Sequence, residues 1–294
     1  MKRRRQIVQR ITLWGMLSNT GLAALKFIFG FLAASQALIA DAVHSLTDTV
    51  TDIAVIVGAK FWSAPADIDH PHGHGRIETM VAVLIGIILA AIGVGLGYRA
   101  LSTLSAAPEK TPGWAALAVA CISIAVKEIL YRWNVDTGKK IKSSALIANA
   151  WHHRSDAMSS VPVAIAVLGT KIKPEWTFLD HVGAIIVSVF ILQAAWKIIW
   201  PALNQLADAG VSLEERERLR SIAIAFEAVK DVHAIRTRNI GAGFQVDMHL
   251  MVDPALSVSK GHEIAGMVKE KLLCEGQNVV DVLIHIEPFQ PREK

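Results

Sequence analysis

At 294 residues the chain has room for two domains, and its 52% apolar content and mean hydropathy of +0.40 lie above those of ordinary soluble domains. A net charge of +4 would suit a nucleic-acid binder, but in so apolar a chain a basic excess follows from loops held on the cytoplasmic side of a membrane. Two cysteines, Cys121 and Cys274, exclude a disulfide framework and a CxxC metal site, and any soluble part therefore reads as intracellular.

Six apolar segments predict membrane spans, over roughly 12–34, 38–62, 78–101, 113–133, 144–169 and 180–201, each near the ~20 residues that cross ~30 Å of hydrocarbon. The first follows Met1-Lys2-Arg3-Arg4-Arg5 without a small-residue cleavage site, and so reads as a retained span. Only Ser35-Gln36 separates it from the second, which predicts a tight helical hairpin. A polar insert from Ala64 to Arg76 precedes the third span. Pro108 and Pro112 bracket the next turn, and Lys171, Lys173 and Pro174 mark the last. Gly86, Gly93, Gly95 and Gly97 give the third span a small-residue face, suited to a helix–helix or dimer contact or to flexible internal packing. Lys2, Arg3, Arg4, Arg5, Arg10, Lys60, Arg76, Arg132, Lys139, Lys140 and Lys142 lie on one side. Against these eleven stand Arg99, Lys110, Lys171 and Lys173, so both termini are expected in the cytoplasm.

After Pro201 the pattern changes. Ser212 before Glu214 and Glu215 is a helix-start signal. Strands are expected at Asp231–Ile240 and Phe244–Val252 around a Gly241-Ala242-Gly243 turn, then a helix from Ser257 to Cys274 and a strand from Val279 to Glu287. The order αββαβ predicts a small two-layer α/β domain with its helices on one sheet face. Alternation of Val246, Met248 and Leu250 sends Gln245, Asp247 and His249 to the other face.

Ionisable groups are expensive in lipid, so those inside the spans ask for a reason. His44 and Asp48 in the second span, and His152 and Asp156 in the fifth, each stand one helical turn apart on one face. Two such helices can offer two imidazoles and two carboxylates to a divalent metal, or each pair can serve as a capping or interhelical hydrogen-bond device. His153 and Arg154 project from other faces and read as interfacial, snorkelling groups. Asp41 and Asp52 extend the acidic face of the second span, suiting an aqueous approach or polar packing. In the insert, Asp67 with His70, His72 and His74 can fold around a metal, Gly73 and Gly75 permitting sharp turns, or form a solvated loop. In the soluble part His233, His249, His262 and His285, with Glu287, make a donor set suited to zinc or a similar borderline ion. Arg76 and Asp208 are placed to form a charge pair between the start of the third span and the soluble domain.

On Ala40–Asp48, Asp69–Arg76, Ala150–Asp156, Arg236-Thr237-Arg238 and the spaced histidines, nearly the whole chain resembles the cation diffusion facilitator family of metal–proton antiporters. The resemblance implies a homodimeric, multi-pass exporter of divalent metal in a bacterial cytoplasmic membrane. A six-helix transport domain would occupy 1–207, and a cytoplasmic, metallochaperone-like regulatory domain 208–294. His44, Asp48, His152 and Asp156 match the family's transport site, and Asp67, His70 and His74 a second site. His233, His249, His262 and His285 match a binuclear cytoplasmic site, with Glu287 where relatives often carry Asp. Imidazole titrates near pH 6.5, so metal competes with protons for the same ligands. Zinc is the expected cargo and iron the next, with cadmium, cobalt and nickel able to use the same donors. A catalytic zinc lacks a His-Glu-x-x-His motif here. A membrane metal sensor with little transport of its own is the other alternative.

Overall fold

The structure is a computed structural model and describes residues 2–62, 64–104, 112–141, 143–241 and 243–290. Pro108, Lys110 and Lys142 lie outside the described residues, as do the side chains of Lys2, Arg3, Arg4, Arg5, Asp52 and Lys60. Six long helices come first: α1 Lys2–Leu32, α2 Gln36–Trp62, α3 Gly75–Ser102, α4 Trp114–Lys140, α5 Ser144–Ile172 and α6 Phe178–Leu206. Then follow α7 Leu213–Ile224, β1 Asp231–Ile240, β2 Gly243–Val252, α8 Val258–Glu275 and β3 Val279–Pro288. A 3₁₀ turn at Pro174–Trp176, with no counterpart in the sequence reading, joins α5 to α6.

Among the described residues four helices are long and apolar enough to cross a membrane: Leu13–Leu32 within α1, and α3, α4 and α6. The expected six are not matched on that measure. The two that fall short, α2 and α5, carry the His–Asp pairs, whose ionisable side chains lower local hydropathy. At 27 and 29 residues both retain spanning length.

The chain divides into two compact units, one of Met1–Ile56 with Leu84–Lys197, the other of Val57–Val83 with Ile198–Lys294. The helical unit has a core built largely of alanine, including Ala37, Ala40, Ala100, Ala116, Ala120 and Ala184, interleaved with Leu38, Val163, Val167 and Ile191. Small residues let helix backbones approach closely where lipid supplies no hydrophobic drive. Side chains of α6 meet the glycine face of α3: a Cβ on Gly93 would come within 3.1 Å of Leu192, and one on Gly97 within 2.9 Å of Ser188 Oγ. Leu17, Ile28, Phe31, Ile88, Ile129 and Ile165 are exposed, as lipid-facing residues would be.

The α1–α2 hairpin is pinned at its tip. Ala34 adopts φ +51°, and Ser35 N–H donates to Gly30 O. Asp180 accepts from Ser35 Oγ and from Gln36 N–H, both at 2.6 Å, and so caps the N-terminus of α2 with a carboxylate from α6.

In the second unit the sheet order is β1-β2-β3. β1 and β2 pair antiparallel through a hairpin, and β2 and β3 pair parallel with α8 as the crossover. Residues of β2 alternate strictly, Val246, Met248 and Leu250 being fully buried against Leu219 of α7 and Ile264, Val268 and Leu272 of α8. Full burial of each such side chain is worth about 1.5–3 kcal/mol. Ser212 caps α7 by accepting from Glu215 N–H, and Ser257 caps α8. Both helices thus cover one face of the sheet and leave the odd-numbered face of β2 to polar chemistry.

Candidate functional site

In the helical unit, α2 and α5 bring His44, Asp48 and Asp156 together, with ligand atoms all within 4.8 Å of one another. Nδ1 of His44 and Oδ2 of Asp48 are buried and have no hydrogen-bond partner, a costly arrangement unless a cation shares them. His152 stands apart from this group. Its side chain is 51% exposed, and its Nδ1 lies 3.7 Å from Asp156 Oδ1.

Lys127 of α4, fully buried, donates to Asp156 Oδ2 at 2.6 Å. One carboxylate oxygen is thereby committed to a fixed ammonium, and the other, Oδ1, faces His152. A second buried lysine, Lys26 of α1, pairs with Asp41 at 2.8 Å and donates to Ser45 and Ser160. Ser159 and Ser160 donate to Asp41 as well. Asp41 therefore belongs to a closed polar network and lines no aqueous approach, because Lys26 neutralises it inside the packing. Neither lysine belongs to a motif, although a lone lysine within an apolar run is itself the signal of a buried partner.

His153, expected at an interface, is buried instead. It is 2% exposed and packs under α1 close to Gly15, because it points inward on α5 and not toward an interface. Arg154 does remain exposed, donating to Tyr131 Oη and lying over the Tyr131 and Trp151 rings.

The insert forms a compact turn. Asp67 Oδ1 accepts from His70 N–H at 2.6 Å, and this backbone donor holds the Asp67 carboxyl below the usual carboxylate range. His70 Nδ1 and His74 Nε2 each lie 3.3 Å from the same carboxylate. Nδ1 of His74 is 3.2 Å from Pro65 O, and its Nε2 is the nitrogen that faces Asp67. Gly73, at φ +80°, makes the turn that brings His74 back. His72 lines a neighbouring cleft with Asp281 and is absent from the group. Arg76 Nη2 donates to Asp208 Oδ1, both side chains about half exposed, and Thr79 donates to Gln205.

On the sheet, register aligns His233, His249 and His285 across all three strands. A one-residue bulge between His233 and Arg236, with Ala234 at φ +49°, turns His233 onto that face. Glu287 joins the row: Oε1 lies 2.8 Å from His249 Nδ1 and 3.7 Å from His285 Nε2, and Oε2 lies 3.2 Å from His233 Nε2. His233, His249 and Glu287 meet the spacing of a metal-ligand group. Imidazoles converging on a shared carboxylate are a donor set that fits a borderline divalent ion. His262 is not brought to this row. It is exposed on α8, which covers the opposite face of the sheet.

The family model described as the cation efflux transmembrane domain matches residues 13–207, and that described as the cation efflux protein cytoplasmic domain matches 211–289. Metal tolerance protein C1 of Arabidopsis thaliana is 35% identical over 95% of this chain, which spans 62% of that relative's length. The manganese efflux system protein MneP of Bacillus subtilis is 33% identical over 97% of this chain and 98% of its own. A solved structure, the metal-bound C-terminal domain of the CzcD transporter from Thermotoga maritima, is 27% identical, covering 28% of this chain and 94% of its own with a TM-score of 0.26.

Proposed function

The chain belongs to the cation efflux family of multi-pass membrane metal transporters, and on that premise we propose that it exports a divalent transition metal, Zn(II) first, from the cytoplasm in exchange for protons. The observation that carries this reading is the convergence of His44, Asp48 and Asp156, two of whose polar atoms are buried without partners. A dehydrated divalent cation is tolerable in the membrane when carboxylates lower its charge, and Asp48 and Asp156 supply two, the second shared with the Lys127 ammonium. Lys127 holds Asp156 by Oδ2, orienting Oδ1 toward His152 and the cargo. His152 completes the set by closing on that oxygen. Because the ligands bind metal only when deprotonated, release on the more acidic side couples to proton uptake by the same groups.

The two readings of cargo differ in softness. Imidazole nitrogen favours zinc, whereas the two carboxylates and the likeness to a manganese efflux protein favour Mn(II). In this reading residues 1–207 carry transport, both termini face the cytoplasm of a bacterial cell, and 208–294 regulate. Cytosolic metal at His233, His249, His285 and Glu287 tightens a homodimer, and a ligand role for His262 belongs to a second copy of the chain. Asp67, His70 and His74 would hold a further ion in the insert.

The test is metal flux into liposomes holding an internal dye under an imposed pH gradient, with Zn(II), Mn(II) and reduced Fe(II) run in parallel on the native chain and on Asp156→Ala. Proton-dependent flux of one metal that vanishes in the variant is the expected result. Absence of flux for all three, with metal still bound by the cytoplasmic histidines, would replace the exporter with a membrane sensor.

A further inference from the structure

The α/β domain holds a basic cleft that the transport reading does not use. It has a volume of about 540 Å³ and is lined by Arg216 of α7, by Arg236, Thr237 and Arg238 of β1, and by Asp208 and Asp247. Nε of Arg216 is buried without a partner. Arg236 forms no ion pair among the described residues, although Asp247 is its register partner on β2. The guanidinium of Arg238 is oriented by Gln245 Oε1, 2.9 Å from its Nε. Asp208 is already neutralised by Arg76, which leaves Asp247 alone against three guanidinium groups.

The wall is built and not a loose loop. Val211 N–H donates to Thr237 Oγ1 at 2.9 Å, and Asn239 Nδ2 donates to Ala209 O at 3.0 Å. Gly210 presses so close that a Cβ there would sit 2.8 Å from Thr237 Oγ1. Arginine forks match phosphate oxygens in pairs, and the volume suits a small polar headgroup. From these observations we propose that the Arg216–Arg236–Arg238 cleft is a phosphate-binding site. Gly210 follows the end of α6 at Leu206 by four residues, a reach of at most about 14 Å. An anionic lipid headgroup and free phosphate are the two sources of the phosphate chemistry.

The experiment is calorimetric titration of the purified full chain in neutral detergent with three probes: inorganic phosphate, dihexanoyl phosphatidylglycerol and dihexanoyl phosphatidylcholine, at constant ionic strength. Each is repeated on Arg216→Gln and Arg236→Gln, with circular dichroism confirming the fold. Arg236 is exposed on its strand, so its variant decides the matter should the other fail to fold. Binding of phosphate or of phosphatidylglycerol is expected, weakened about 10-fold or more by loss of one charge-assisted pair. Tighter binding of phosphatidylglycerol assigns the site to lipid, and tighter binding of phosphate assigns it to the soluble ion. No binding by the native chain, undiminished binding in the variants, or equal binding of phosphatidylcholine overturns the proposal. Metal flux is not measured, so this outcome is independent of the exporter reading.

Discussion

Lys127 shows how much one buried side chain decides. Its ammonium and the Asp156 carboxylate are both removed from water, and removing one partner of such a pair leaves the other charge uncompensated. Lys127→Met should therefore destabilise the helical unit by roughly 3–5 kcal/mol, read as a fall in thermal midpoint. Excess zinc should restore part of the loss, since a bound cation replaces the ammonium beside Asp156. A variant as stable as the native chain would show that the pair is not closed to water. Asp231 makes a milder, pH-linked contribution. Its carboxyl is held below the usual carboxylate range, first by the Val232 N–H and then by the Arg220 guanidinium. A folded value below the unfolded one means the stabilisation is complete above about pH 4 and is lost as pH falls through the folded value. Asp231→Asn should flatten that part of the acid limb, measured as unfolding midpoints taken from about pH 6 to about pH 2.

At the scale of elements, two local devices aim the chemistry. The bulge at Ala234 adds one residue to β1, and strand side chains alternate faces with a period of two. Deleting Ala234 should turn His233 to the helix-covered face and lower zinc affinity of the sheet cluster. The measurement is a zinc titration in an Asp156→Ala background, where the membrane ligands are already impaired. Unchanged affinity would remove His233 from the ligand set. The second device is the carboxylate of Asp180, which accepts from Ser35 and Gln36 and so caps α2 from a different helix. Loss of these charge-assisted bonds in Asp180→Ala should lower stability by about 1.5–3 kcal/mol, seen in thermal unfolding.

For the whole molecule, the proposed link between metal at the row of imidazoles and assembly can be measured directly. Light scattering of the detergent-solubilised chain should give a protein mass twice the 31.9 kDa of one copy. Chelation should lower the thermal midpoint of the α/β domain, and restored zinc should raise it again, by about 2.7 kcal/mol of added stability at a hundredfold excess over Kd. His249→Ala should abolish that response, and a response that survives would place the metal elsewhere.

Much of this architecture is legible in the sequence because it is periodic. Apolar length marks the long helices, Ser212 before Glu214 and Glu215 marks the start of α7, and the alternation of Val246, Met248 and Leu250 marks the buried face of β2. The pairs His44–Asp48 and His152–Asp156 could be found because one helical turn separates two ionisable groups where lipid tolerates few. Periodicity reports which face a residue occupies but not what stands opposite. Only the packed helices decide that Lys127 takes one oxygen of Asp156, that Lys26 closes off Asp41, that His152 stays half exposed and that His153 turns inward. Likewise the motif Arg236-Thr237-Arg238 names three side chains, and it takes the approach of Arg216 from α7 to make them a cleft. Local pattern is set along the chain by backbone geometry, whereas ion pairing and burial depend on contacts between different elements, as between Lys127 of α4 and Asp156 of α5 or between His153 of α5 and Gly15 of α1.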